Sequence, residues 1–343
     1  MCILRRESGI MSLLYVNENG AKVNFEGNQF VATHVDGMKQ IIPAETLEGI
    51  TLLGTAQMTT QCMEKCMEKG IPVSFFSKGG KYFGRLVPTG HVRASLQRKQ
   101  SALYDSAFAV ELSKRIITAK IKNQEVVLNR YSKNKEVDIS ECEKMMRICR
   151  NKIANIEKID ELMGFEGCAA KYYFEGLSLC IDEEFVFHGR SKRPPRDEFN
   201  SMISLGYSII MNEIYGEIEM KGLNPYFGFM HRDAEKHPTL ASDLIEEWRA
   251  VLVDATVMSM INGHEVNKSE FSKNADEPGC YLNHECIKKY LSKLEKKLRT
   301  DIKYLDYINY RVSFRRAMGL QINQLVKAIE AEDASLYHPI IIR

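Results

Sequence analysis

HVRASLQRKQSALYDSAFAVELSKRIITAKIKNQEVVLNRYSKNKEVDISECEKMMRICRNKIANIEKIDELM, residues 91–163, contains neither glycine nor proline. A run of this length without the two strongest helix breakers is a strong helical signal. Toward the C-terminus helical character continues to about residue 330. The expected breaks lie near Pro194-Pro195, Gly222–Pro225, Pro238 and Gly263–Gly279. Toward the N-terminus the pattern changes. Eleven of the 22 glycines fall in the first 90 residues. Between them lie short segments of strand character: Leu13–Val16, Lys22–Phe25, Phe30–His34, Gln40–Ile42, Gly49–Leu53, Pro72–Phe76 and Lys81–Val87. Tight turns are expected at 18–20 and 36–38, and one through Gly79-Gly80. One helix interrupts the strands, from Met58 to Lys69, ending at Gly70.

The reading is an α+β multidomain chain. Residues 11–90 form a small β-sheet domain with one helix, and residues 91–330 form an all-α domain. Residues 1–10 read as an extension or leader before the first strand, and 331–343 as a tail. The length of 343 residues suits about two domains. Hydrophobic residues at 44% and charged residues at 27% exclude intrinsic disorder, collagen and a small disulfide scaffold. No stretch approaches the roughly 18 uninterrupted apolar residues of a membrane helix. The start MCILRRESGI has no apolar core of a secretory signal. The nine cysteines are scattered and odd in number, so they read as reduced thiols of a cytoplasmic protein.

The net charge of +2 conceals an uneven distribution. Residues 91–163 carry +5, 164–285 carry −10 and 286–343 carry +6. An acidic segment between basic ones suits metal ions acting on a polyanion, and equally suits ordinary solvated helices. Within the acidic segment three stretches combine carboxylates with a histidine. MGFEGCAAKYYF (163–174) places Glu166 at the expected start of an apolar helix, where the helix dipole alone would favour a carboxylate. NPYFGFMHRD (224–233) brings an aromatic run up to His231, which a packed, hydrogen-bonded side chain would also explain. HPTLASDLIEEWRAVLVDATV (237–257) is an apolar-faced helix with Asp243 and Glu246 three apart, on roughly one side. Asp243 or Ser242 could instead cap that helix. Two or three carboxylates and one imidazole suit Mg²⁺ or Mn²⁺, not the thiolate-rich set of structural zinc.

Two further stretches are basic. HGRSKRPPRDEFNSMISLGYSII (188–210) sets Arg190, Lys192, Arg193 and Arg196 around a Pro-Pro pair before a helix that Asp197 can cap. That arrangement suits phosphate contacts or a solvated loop. Lys288–Arg316 interleaves Lys and Arg with tyrosines, a pattern of nucleic-acid-facing helices and of plain amphipathic ones. Cys62/Cys66 and Cys280/His284/Cys286 lack zinc-site spacing. GGKYFG at 79–84 lacks the following helix of a phosphate loop. No separate organic cofactor site is indicated.

The order of these segments resembles the CRISPR adaptation integrase, the Cas-one family. The resemblance is carried by GFEGCAAKYYF (164–174), RSKRPPRDEFNSMISLGYSII (190–210), GLNPYFGFMH (222–231) and LASDLIEEWRAVLVD (240–254), in order, with a supporting run at Arg93–Gln100. It covers nearly the whole chain from Met11. Ala250 stands where the family often has proline, the loop 263–280 is of uncertain correspondence, and residues 1–10 have no counterpart. The resemblance implies that Glu166, His231 and Glu246 ligate the metal and that Asp243 supports or joins them in catalysis. It implies that Asn200 organises the site. It further implies a homodimer formed by the β domain, a small ferredoxin-like Cas-two partner, and double-stranded DNA as substrate, both the captured fragment and the CRISPR repeat. The expected reaction is metal-dependent attack of a DNA 3′-hydroxyl on a phosphodiester. A stand-alone metal-dependent repair nuclease and a non-catalytic DNA-binding subunit are the alternatives.

Overall fold

The computed structural model describes residues 2–5, 12–78, 82–86, 92–273 and 279–343. The chain divides into two compact units, residues 1–90 with 284–292, and residues 91–283 with 293–343.

The first unit is built from β1 (Cys2–Arg5), β2 (Ser12–Val16), β3 (Lys22–Glu26), β4 (Gln29–Thr33), β5 (Lys39–Pro43), β6 (Leu47–Leu53), β7 (Gln57–Met58), α1 (Thr60–Glu68), β8 (Val73–Phe76) and β9 (Tyr82–Leu86). One sheet runs β1-β2-β6-β8-β9 and the other β5-β4-β3-β7. The β3–β4 hairpin turns at Gly27 and Asn28, both at positive φ. That is the mirror-image turn whose twist matches paired strands, and few residues other than Gly and Asn accept it. Thr59 caps α1 by accepting from Cys62 N, and Gly70 at φ +66 follows the helix end. Leu14, Val23, Phe30, Ile42, Ile50 and Val73 pack with Cys62 and Cys66 of α1 into one core. Of the expected extension 1–10, only Cys2–Arg5 is described, as a strand antiparallel to β2. The Gly79-Gly80 turn lies outside the described residues.

The second unit is helical: α2 (Ala94–Ala102), α3 (Ala107–Lys135), α4 (Ser140–Lys152), α5 (Ile159–Cys180), α6 (Glu198–Met220), α7 (Thr239–Trp248), α8 (Ala255–Asn262), α9 (His284–Leu298, shared with the first unit) and α10 (Phe314–Ala331). The expected interruptions all occur. Two short antiparallel ladders lie between helices, β10 (Phe271–Lys273) with β11 (Cys280–Leu282) and β12 (Asp301–Ile302) with β13 (Val312–Ser313). The small β region followed by a helical region agrees with the α+β expectation.

Three packing details position the site. Helices α3 and α5 approach closely because Gly176 lacks a Cβ; an added one would meet Leu128 at 2.8 Å. Helix α7 is buried along its whole length, and α3 and α6 both pack on it. Burying side chains such as its Leu244 and Ile245 contributes about 1.5–3 kcal/mol each. Between α7 and α8 the chain continues through a π-helical turn, Arg249–Asp254. Such turns are rare and recur at functional sites.

Residues 331–343 have no long helix, as their composition indicates, yet they are fixed to the helical unit. Tyr337 and Ile340 are fully buried. Asn123 of α3 donates to Ile340 O and accepts from Ile342 N, while Glu247 accepts from Tyr337 Oη and Ile340 N. Buried polar groups holding the last segment from two sides make it part of the fold. Among the described residues no helix is long and apolar enough to cross a membrane.

Candidate active site

The carboxylates at the centre come from helices that share a core. Glu166 projects from α5 and Glu246 from α7, and the Lys120 ammonium of α3 contacts both. It donates a short hydrogen bond to Glu166 and lies 2.5 Å from Glu246 Oε2. Lys120 and Glu246 are each 6% exposed. On the other carboxylate oxygen, Arg249 Nε donates to Glu246 Oε1 at 3.1 Å and His231 Nε2 stands 4.0 Å away. Burial pushes the Glu246 carboxyl up, but the charges of Arg249, Lys120 and His231 outweigh it and hold it at about 2. Burial likewise disfavours the charged form of Lys120, and the two glutamates overcome it, so its ammonium is held above its ordinary range.

His231 is placed by the loop between α6 and α7. Gln100 of α2 pins this loop, donating to Asn224 O and Phe227 O and accepting from Asn224 N. Phe229 packs edge-on against Phe108. Asp243 then collects the end of the loop. Its Oδ2 accepts from Phe229 N at 2.6 Å and Met230 N at 3.1 Å, and its Oδ1 accepts from His231 N at 3.0 Å and Nδ1 at 2.7 Å. A carboxylate only accepts, so Nδ1 carries a proton, and Nε2 is the ring nitrogen that faces Glu246. Gly228 permits this closure; a Cβ there would meet Thr239 at 2.8 Å and Asp243 Oδ2 at 2.9 Å.

Two local expectations are corrected. Glu166 is not in the first turn of its helix, because α5 begins at Ile159 and Asp160 and Glu161 supply the acidic first turn. The helix dipole therefore does not account for Glu166. Asp243 and Ser242 do not cap α7, which starts at Thr239 after Pro238. Asp243 lies inside the helix and serves the neighbouring loop.

The basic loop divides into an anchored part and an exposed part. Arg190 donates to Asn200 Oδ1 and Ser204 Oγ and stands 5.4 Å from the Tyr207 ring centre. Lys192, Arg193 and Arg196 are exposed. Asn200 is fully buried; its Nδ2 donates to Gly189 O and Asp197 Oδ2, and its Oδ1 accepts from Ser191 N and Arg190 Nη1. Its described contacts therefore shape the loop and include neither Glu166 nor Glu246. In the Lys288–Arg316 segment, Arg299 and Arg315 pair with the buried Glu295.

Lys120 and Arg249 are the functional candidates that sequence reasoning missed. Lys120 had a signal: it falls among Ile116, Ile117, Ile121 and Gln124, on the buried face of α3. A lysine at a core position needs a buried anion. Arg249 follows Glu246 by one helical turn, packs 4.4 Å over Tyr207, and that ring's hydroxyl donates to Asp254.

Among the described residues no three of His, Cys, Asp and Glu close on one point as a metal site. The donor set nonetheless fits a hard divalent cation. It comprises two carboxylates and an imidazole nitrogen whose partner nitrogen is fixed by an acid, as is usual for metal-binding histidines. Glu246 Oε2 is buried, with the Lys120 ammonium as its close cation.

The family model for CRISPR associated protein Cas1 matches residues 14–296. The chain belongs to the Cas1 family. A relative in Mycobacterium tuberculosis (strain CDC 1551 / Oshkosh), named CRISPR-associated endonuclease Cas1, is 35% identical across 94% of this chain and 95% of that protein. Among solved structures, a casposase bound to integration product superposes with TM-score 0.84 at 20% identity, covering 96% of this chain and 95% of that one. A chain of a Cas6-RT-Cas1–Cas2 complex superposes with TM-score 0.81 at 23% identity, covering 99% of this chain and 37% of that one. The Cas1 fold is thus common to this chain and to larger assemblies.

Proposed function

We propose that this Cas1-family chain is a metal-dependent DNA endonuclease and integrase of CRISPR adaptation, joining captured DNA fragments to a repeat. The observation that supports the reading is the surroundings of Glu246: Lys120 bridges it to Glu166, and His231 Nε2, its ring fixed by Asp243, stands 4.0 Å from the other carboxylate oxygen. Glu166, His231 and Glu246 would hold Mg²⁺ or Mn²⁺. Such an ion supplies charge neutralisation at phosphorus and a lowered proton affinity for the attacking 3′-hydroxyl. Asp243 orients His231 through Nδ1. Arg249 holds Glu246 ionised from the side opposite Lys120. Exposed Lys192, Arg193 and Arg196 provide phosphate contacts that position the duplex, while Asn200 and Arg190 keep their loop in shape.

The partners proposed are double-stranded DNA, a second copy of the chain and Cas2. The Cas1–Cas2 assembly supports Cas2 and the casposase bound to integration product supports DNA, while the second copy follows from the family resemblance. The test is strand joining by purified protein with Mn²⁺, with and without Cas2. Glu166→Ala, His231→Ala and Glu246→Ala each lose joining while circular dichroism and DNA binding are nearly kept. Full joining by Glu246→Ala would falsify the assignment.

A further inference from the structure

The place between the buried Glu246 and the partly buried Glu166, where a cation belongs, is held by a side chain of the protein itself. Lys120 reaches it from the core face of α3, touching Glu166 and standing 2.5 Å from Glu246 Oε2. Its position is built in. Ile116, Ile117 and Ile121 bury the helix around it. Two ionised carboxylates out of water repel unless a positive charge lies between them, and breaking such an arrangement is costly. Glu246 has a second cation in Arg249; for Glu166, Lys120 is the partner that the described contacts show.

A divalent ion held by both Glu166 and Glu246 would take up the negative charge that the ammonium now neutralises. The two cations would therefore compete for the same carboxylates. Lysine can vacate the place, because its charge rides on a flexible four-carbon stem, and it stays protonated wherever it goes.

We propose that Lys120 is the resident counter-ion of the active-site carboxylates, which a divalent metal must displace, so that Lys120 sets the protein's apparent metal affinity. The inference rests on the metal-site reading above and adds a competitor to it. The apparent affinity is the intrinsic affinity multiplied by the fraction of molecules with the lysine withdrawn. Removing its charge therefore tightens metal binding instead of weakening it, opposite to the effect of losing a ligand.

The experiment is Mn²⁺ titration of the full-length chain without DNA, followed by the electron paramagnetic resonance signal of free Mn²⁺. Wild type, Lys120→Met, Lys120→Gln, Lys120→Arg and Glu246→Gln are compared. The two neutral variants bind Mn²⁺ about tenfold tighter than wild type, or more. Lys120→Arg, which keeps the charge, binds no tighter than wild type, and Glu246→Gln binds more weakly. If a neutral variant unfolds without metal, Mn²⁺ restores its circular dichroism and equal ionic strength of sodium chloride does not; failure of that rescue overturns the proposal. Neutral variants that bind no tighter while Glu246→Gln still loses binding would sink the role of Lys120 and leave the metal site standing. Unchanged binding by Glu246→Gln would remove the metal site and this inference with it.

Discussion

Asp243 holds His231 twice, through the backbone N–H at 3.0 Å and through ring Nδ1 at 2.7 Å. The same carboxylate accepts the N–H groups of Phe229 and Met230. One buried side chain thus determines both where the loop ends and which imidazole nitrogen faces Glu246. Asp243→Asn presents one acceptor oxygen and a donor amide to groups that all donate. We expect roughly 10–100-fold less strand joining and weaker Mn²⁺ binding, the usual cost of losing the group that orients a metal-binding histidine. Stability falls by about 1–3 kcal/mol as buried N–H groups lose their acceptor. Kinetics and urea titration check both, and wild-type joining by the variant would show that Asp243 only stabilises the fold.

Gly228 is the contact point between that loop and α7. Adding a methyl group forces it against Thr239 and Asp243 Oδ2, both under 3 Å away. Gly228→Ala should cost about 1–3 kcal/mol by overpacking. It should also lower joining at least tenfold, because a displacement of about 1 Å at His231 is enough. A melting curve together with a joining assay measures the pair of effects. A variant destabilised but fully active would mean the loop re-forms around the methyl group.

Arg315 clamps two helices to its own. It donates from Nε and Nη2 to Glu213 at 3.0 and 2.8 Å, and from Nη1 and Nη2 to Glu295, both at 2.8 Å. Glu295 is 2% exposed, so Arg315→Ala leaves a nearly buried carboxylate short of its main counter-charge. The expected loss is about 3–5 kcal/mol. Burial raises the Glu295 carboxyl, and Arg315 and Arg299 more than reverse this, so it is lowered overall. Its contribution is present above the unfolded glutamate pKa and is lost as pH falls through the lower folded value. Denaturant titrations should therefore show the wild type losing its advantage over Arg315→Ala in acid. An advantage independent of pH would rule out the ion pair as its source.

Asp254 gives the opposite sign. Burial is the dominant influence and raises its carboxyl to about 6, against hydrogen bonds from Tyr207 and Tyr173 that favour the ion. The unfolded value is about 3.9. Between these values the native state binds the extra proton. Stability from this group is thus greatest in acid, declines as pH rises toward about 6, and is level above it. Asp254→Asn removes the titration. Relative to wild type the variant should gain at most about 2–3 kcal/mol from pH 4 to pH 6 and nothing further above. Parallel profiles for the two proteins would show that Asp254 does not titrate there.

Much of the architecture was legible from the chain because periodicity and glycine placement act locally. The strands between residues 13 and 87 and the helices after 91 follow from turn chemistry, propensity and the absence of breakers. The candidate residues Glu166, His231, Asp243 and Glu246 lie in short segments that combine carboxylates with a histidine, but it was the resemblance of those segments to the family, not their composition, that singled them out. Their supporting roles could not be read. Reading Asp243 as a cap and Glu166 as a first-turn acid used valid local rules, but the helices begin earlier than those residues suggest.

By itself the sequence determined that a glycine-rich β region precedes a long helical one, and it offered a few acids and one histidine as candidates. Only the tertiary structure decided that His231 lies beside Asp243 and Glu246, that Asp243 serves the loop, and that Lys120 bridges Glu166 and Glu246 while Arg249 holds Glu246. The reason is physical. Secondary structure answers to neighbours within a few residues, whereas the meeting of α3, α5 and α7 depends on close helix packing, as where Gly176 admits Leu128. A lysine on a core face announces that an anion lies opposite, but not which one.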